Sequence, residues 1–249
     1  MAQDTFEPKF YRGWTGCSRL TGFAVQVAET DLAVKATRPL RNDTKKMVLR
    51  LRDDISSYAA QHPRFYTSLQ PLPAEDDAPE VVQLMADASA AYDVGPMAAV
   101  AGAIAELVGI GLLELLSDSG FDAPEVIVEN GGDCYVCTNE PAVVSLFAGK
   151  DSPFSGRRLR IGGGGRARGV CTSSGTVGHS LSYGLADAVV AIAESAALAD
   201  AAATAIANKI RSREDIQPAL EREKSRGKLL GLLIAAGEHL GAWGELEIT

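Results

Sequence analysis

Cysteine is scarce in this chain. There are four in 249 residues, Cys17, Cys134, Cys137 and Cys171, scattered rather than spaced as a framework. That argues against a disulfide-stapled fold and for reduced thiols. Positive charge is short as well, with 24 Lys and Arg against 32 Asp and Glu and a formal net charge of −8. Nucleic acid and anionic membranes select basic surfaces, so neither is an expected partner, and any phosphate site must be local. An apolar leader is not expected. Met1 to Trp14 carries acidic and basic residues where a secretory signal needs an unbroken apolar run, so export is not expected and the chain reads as cytoplasmic. One window, Val94 to Leu116, is membrane-like, but Glu106 and Glu114 interrupt it, each costly to insert. It reads as a buried helix of a soluble protein.

Several chemical signatures are incomplete. Cys134 and Cys137 form a single Cys-x-x-Cys with no second pair, in a segment that reads as a strand. Residues three apart on a strand point to opposite faces, so these sulfurs are not expected to share a metal or a disulfide. The run Gly162-Gly163-Gly164-Gly165-Arg166 lacks the Lys-Ser/Thr of a P-loop. It reads as a loop in preference to a phosphate cradle. Ser174, His179 and Asp187 can be written as a hydrolase triad, but no Gly-x-Ser-x-Gly elbow surrounds the serine.

What is present is enough apolar content, 46%, to bury a substantial core, read here as one domain over 1–249. Phe23, Val25 and Val27 alternate, turn near Thr30-Asp31, and resume through Leu32 and Val34 as a hairpin. Met47, Leu51, Ile55 and Tyr58 mark a helix that stops at His62-Pro63. A solvated loop at Gln70 to Pro79 precedes a helix over Glu80 to Tyr92 and an Ala/Gly-rich helix over Met97 to Leu116. Strands follow at Val126 to Val128, at the segment after Asp133, at Ala142 to Phe147 and at Ala188 to Ala193. A charged helix spans Pro218 to Arg226, and Leu229 to Ile234 with Trp243 to Ile248 reads as a closing hairpin. Hairpins and helices without regular βαβ alternation predict an α+β fold.

Candidate site residues lie in the second half. Ser195 can N-cap a helix from Ala196 to about Ile210, which places Asp200 and Thr204 one turn apart on one face. A carboxylate beside a hydroxyl supplies hard oxygens of the kind Mg²⁺ accepts; alternatively Asp200 favours the helix dipole and Thr204 packs among alanines. Upstream, Asn130-Gly131-Gly132-Asp133 follows a strand, and two glycines allow close approach of backbone to a ligand. The run Thr172-Ser173-Ser174-Gly175-Thr176 adds hydroxyls, and His179 could move a proton or could simply hold the adjacent turn. His62 and His239 read as surface residues.

The Asn130 to Asp133, Cys171 to Ser182 and Ala-Asp-Ala-Ala-Ala-Thr (Ala199 to Thr204) segments resemble the ApbE-like flavin transferases. With Glu29 to Leu32, Val94 to Glu106 and Trp243 to Glu247, nearly the whole chain resembles an uncharacterised ("UPF"-class) bacterial and archaeal family related to ApbE. The resemblance implies an ApbE-like single domain of antiparallel hairpins flanked by Ala/Gly-rich helices. It further implies FAD and Mg²⁺ as cofactors, with FAD split at its pyrophosphate, FMN passed to a threonine hydroxyl of an acceptor protein, and AMP leaving. Asp200 and Thr204 take the metal positions. Asn130, Gly131, Gly132, Asp133, Thr172, Gly175 and Thr176 take the cofactor positions, and Ser173, Ser174 and His179 the catalytic ones. The departures are also definite. The family's Lys-Gly-x-x-x-Asp reads Ala101-Gly102-Ala103-Ile104-Ala105-Glu106, and its His-x-x-Asp-Pro-x-x-Gly segment is replaced by His179-Ser180-Leu181-Ser182. A non-catalytic ligand- or partner-binding protein on the same scaffold is the competing reading. Homo-oligomer formation is left open.

Overall fold

The computed structural model describes residues 19–146, 148–149, 152–174 and 184–249. The chain enters through a hairpin of β1 (Thr21–Val27) and β2 (Thr30–Ala36). Its register sets Phe23 opposite Val34 and Val25 opposite Leu32, which puts all four apolar side chains in the core. A one-residue slip would turn one set outward, so the pattern dictates the pairing. The turn falls at Ala28-Glu29 rather than at Thr30-Asp31. Thr30 already pairs with Val27, and Ala28 takes φ 51° to close the loop.

Three helices follow, α1 (Arg41–Gln61), the short α2 (Pro63–Thr67) and α3 (Glu80–Tyr92). The buried stripe of α1 is Thr44, Val48, Ile55 and Tyr58, with Met47 and Leu51 only partly covered. After a 3₁₀ turn at Pro96–Ala99 comes α4 (Val100–Asp118), which carries the predicted Ala/Gly-rich stretch. Then come β3 (Val126–Asn130), β4 (Asp133–Cys137), β5 (Ala142–Ser145), β6 (Arg158–Ile161), β7 (Ala167–Ser173) and β8 (Ala188–Ala193). The chain ends with α5 (Ala196–Ala207), α6 (Ile216–Arg226), β9 (Gly231–Ala236), β10 (His239–Gly244) and β11 (Glu247–Ile248). The fold is α+β.

Eight strands form one antiparallel sheet in the order β1-β2-β3-β4-β7-β8-β9-β10, and β11-β6-β5 form a second, smaller one. Helices α1, α4 and α5 cover one face of the large sheet, where Val128, Tyr135, Cys171, Val189 and Leu232 are buried, and α3 packs on α5 and α4 as an outer layer. The small sheet covers the other face, where Ile127, Val136, Val170, Val190 and Ile192 meet Ala142, Leu159 and Ile161. Central strands therefore lose the apolar-polar alternation of a one-sided antiparallel sheet. Every residue of β8 and β9 is buried, as two covered faces require.

The predicted closing hairpin is shifted and split. Gly231–Ala236 pairs with His239–Gly244, while Glu247–Ile248 crosses to β6. The break comes at Gly244, which has φ 95° and where a Cβ would lie 2.1 Å from the Leu230 carbonyl oxygen. Helix α5 ends at Ala207, short of Ile210, because the segment at Gly184 and Leu185 crosses its end. The Leu185 amide takes the Ile210 carbonyl at 2.7 Å, and a Cβ on Gly184 would collide with the Ala207 carbonyl.

Candidate functional site

Ser195 caps α5 as its sequence predicts, its side chain accepting the Leu198 N–H at 3.2 Å. The helix contains both Asp200 and Thr204, so the one-turn spacing holds, with Asp200 buried and Thr204 half-buried. Asp200 faces the start of α4. One carboxylate oxygen accepts the Gly102 amide at 2.9 Å, and the Ala101 amide adds a second bond. Asp200 thus satisfies donors that the first turn of any helix leaves open, across from a different helix.

From the sheet side come Asn130 and Asp133, paired across the β3–β4 turn. Gly131 and Gly132 make that turn with φ of 69° and 111°, and the Gly132 amide donates to Glu129 Oε1 at 2.8 Å. Asn130 Nδ2 donates to the Ala101 carbonyl at 3.1 Å, tying the turn to the start of α4. Asp133 is buried on the helix-facing side, beside Cys171 of β7, with the Thr172 amide also donating to it. Ser173, two residues further along β7 on that same face, is buried too. Thr172 is half-buried on the opposite face, and Ser174 is half-buried just past the strand. Gly175, Thr176 and His179 lie outside the described residues.

The electrostatics follow from this burial. Loss of water, followed by repulsion from Asp200, pushes the Asp133 carboxyl well above its usual range. Asp200 is pushed up to about 7, burial outweighing the two amides that favour its charge. Two acids that repel one another at close quarters need a shared proton or a cation. Asp133 Oδ1 and Ser173 Oγ are, in addition, buried oxygens with no hydrogen-bond partner among the described residues. Among the described residues no three His, Cys, Asp or Glu side chains come together to hold a metal. A cation here would therefore rely on a carboxylate, a hydroxyl and further oxygens from water or ligand, the donor set that suits Mg²⁺.

Other sequence candidates separate. Cys134 packs under the small sheet and Cys137 under the helices, on opposite faces of β4 as alternation predicts. In the glycine run, the Gly164 and Gly165 amides donate to the Asn139 and Thr138 carbonyls at 2.7 and 3.0 Å. Arg168 bonds Glu245 at 2.8 Å. That loop is structural. Asp187 accepts the Gly237 amide at 2.7 Å and so holds the β9–β10 turn. Two open grooves, of about 410 and 280 Å³, are lined by the Pro71 to Asp76 loop and by Tyr58, His62 and Phe65, not by the paired acids.

The family model described as "AbpE bacteria" matches residues 14–227. A UPF0280 protein of Methanocaldococcus jannaschii is 39% identical over 226 residues, covering 88% of this chain and 89% of its own. A UPF0280 protein of Methanococcus vannielii is 40% identical over 231 residues, covering 89% and 90%. The chain belongs to the UPF0280 family, which is related to ApbE. The flavinyl transferase ApbE of Pseudomonas stutzeri, in its apo form, has a similar fold with a TM-score of 0.56 at 16% identity over 90% of this chain and 94% of that one. The ApbE protein of Thermotoga maritima gives 0.55 at 11% identity, over 91% and 97%.

Within the UPF0280 chain, four residues around these acids were not assigned to the candidate site by the sequence. Cys171 joins Asp133 and bonds the Ala196 carbonyl at 3.2 Å. Its alternation with Ser173 along the strand was the available signal. The amides of Ala101 and Gly102 carry no side-chain signature at all. Glu106 binds the start of α5, and only its place in the altered Lys-Gly-x-x-x-Asp segment marks it.

Proposed function

We propose that this protein binds a flavin nucleotide by its pyrophosphate beside Asp133, Ser173 and Asp200 and acts on the phosphoanhydride, passing FMN from FAD to an acceptor hydroxyl. One observation carries the reading. Two buried carboxyl groups stand near enough for Asp200 to repel the charge of Asp133, and among the described residues Asp133 Oδ1 and Ser173 Oγ have no hydrogen-bond partner. A buried pair of acids is completed by a proton or by a cation, and open oxygens beside the pair are what a cation or its ligand would take up.

Asp200 and Thr204 would hold Mg²⁺, which supplies neutralising charge against the pyrophosphate. Asp133 and Ser173 fit the same centre through their open oxygens. The Ser173 hydroxyl donates to a phosphate oxygen, and Asn130, fixed on Ala101, sets the height of the Gly131-Gly132 turn over the ligand. His179 accepts the proton of the acceptor hydroxyl as that oxygen attacks the FMN-side phosphorus; the P–O bond to AMP breaks and AMP leaves.

The test measures FAD binding by fluorescence and AMP release by chromatography, with Mg²⁺ present. Asp200→Ala should weaken FAD binding, on the order of 10–100-fold as for loss of a metal-site contact, whereas His179→Ala should spare binding and stop AMP release. Wild-type binding without AMP release would assign a ligand-binding protein that retains the scaffold, a reading favoured by Ala101 standing where the transferases have lysine. Absence of both binding and release would overturn the proposal.

A further inference from the structure

Helix α4 grips the start of α5 at two points one turn apart. Gly102 donates its amide to Asp200 at 2.9 Å. Glu106, four residues on and therefore on the same face, accepts the Ser195 hydroxyl at 2.7 Å and the Ala197 amide at 3.1 Å through one carboxylate oxygen. Ser195 accepts the Leu198 amide, so the open donors at the start of α5 are divided between its own cap and a carboxylate from α4. A carboxylate placed there also meets the positive end of the helix, and its bonds are charge-assisted.

The other contacts of this turn are too close to slip sideways. A Cβ on Gly102 would lie 2.3 Å from the Ala196 carbonyl oxygen, and one on Gly169 of the sheet 2.3 Å from Ala196 Cα. The Cys171 thiol holds the Ala196 carbonyl from below. What is left is a roll of α5 or a slide along α4, and either carries Asp200 off the Gly102 amide, because Ala197 and Asp200 are less than one turn apart. Glu106, bonded to Ser195 and Ala197, is a contact placed to oppose that motion.

We propose that Glu106 is a positioning residue that fixes the Asp200 carboxylate against the amides of Ala101 and Gly102. Its functional consequence rests on the reading of Asp200 as a cation ligand; the positioning itself does not. Glu106→Gln keeps the length and the acceptor oxygen, Glu106→Ala removes both, and Val108→Ala, at a fully buried position on the same helix, controls for general loss of packing. Two quantities are read in the full chain: the ¹H–¹⁵N shift and exchange rate of the Gly102 amide, and Mn²⁺ affinity by electron paramagnetic resonance. Glu106→Ala should shift the Gly102 resonance, hasten its exchange and weaken Mn²⁺ binding about 10–100-fold, with recovery in Glu106→Gln. Val108→Ala should lower Tm without either change. A Glu106→Ala protein with an unmoved Gly102 amide overturns the proposal. Movement of that amide in a protein whose wild type binds no Mn²⁺ supports the positioning role and removes the cation reading. Should Glu106→Ala fail to fold, Ser195→Ala removes one donor to the same carboxylate; it must produce a smaller Gly102 shift, and an unchanged resonance overturns the proposal.

Discussion

At the scale of residues, the informative fact is that Asp133 and Asp200 are held as acids in a place that opposes their ionisation. Both carboxyls titrate higher in the fold than in the unfolded chain, Asp200 at about 7. Between the unfolded carboxylate range and that value the folded state binds more protons, so their contribution is largest at low pH and is lost as pH rises toward 7. In EDTA, urea unfolding should therefore show stability falling from about pH 4.5 to pH 7.5 on this account. Asp200→Asn should flatten that slope, and saturating Mg²⁺ should oppose it at the upper end. A slope unchanged by Asp200→Asn would show that the Asp200 carboxyl does not titrate in this window.

The thiols make a second residue-scale case. Cys134, Cys137 and Cys171 are buried, and burial pushes the Cys137 and Cys171 thiols upward, Cys171 further because Asp133 and Asp200 stand near it. Thiolate is the reactive form, so mass-mapped labelling with a disulfide reagent should leave all three unmodified in the native protein and modify them in denaturant. Rapid native labelling of Cys171 would mean that the close packing of α5 on β7 opens.

Among the elements, α5 is the one whose placement decides the site. It is nearly all alanine on its buried faces, and this lets its first turn lie directly on Gly169 and Gly102. Gly169→Ala would set a methyl against the Ala196 backbone with no flexible side chain to yield. A loss of about 1–3 kcal/mol, or more, is expected in urea unfolding. Ser195→Ala removes the cap and one partner of Glu106, with an expected loss of about 1 kcal/mol. The sequence disclosed this helix well, since Ser195 begins it and Ala196 to Ala207 have high helix propensity. Its end was misread because the residues after Ala207 remain helix-compatible and only the crossing at Gly184 stops them.

For the molecule as a whole, the large sheet is covered on both faces, by helices on one side and the β11-β6-β5 sheet on the other. Arg168 lies buried on the small-sheet side and is held by Glu245, in the link from β10 to β11. Glu245→Ala removes the charge partner of that guanidinium and leaves it the Ala167 carbonyl as acceptor. Because Glu245 itself is half exposed, the expected cost is modest, about 1–2 kcal/mol by chemical denaturation. No change would indicate that water substitutes fully for the lost carboxylate.

The sequence alone determined what depends on neighbours along the chain. Alternation in Phe23 to Val34 gave the first hairpin, the Glu80 to Tyr92 limits gave α3, the Ser195 cap gave α5, and the spacing of Asp200 and Thr204 survived because it is a property of any α-helix. Strand alternation likewise separated Cys134 from Cys137. What the tertiary structure decided is everything that needs two distant segments to meet. The second sheet is one such feature, since full burial of β8 and β9 erases the alternation that marks a strand's covered face. The meeting of Asp133 with Asp200 is another, because repulsion between two acids 67 positions apart has no signature until the fold removes the water between them. The backbone amides of Ala101 and Gly102 are the last, as a peptide N–H looks alike at every position and becomes part of a site only where a helix begins opposite a carboxylate.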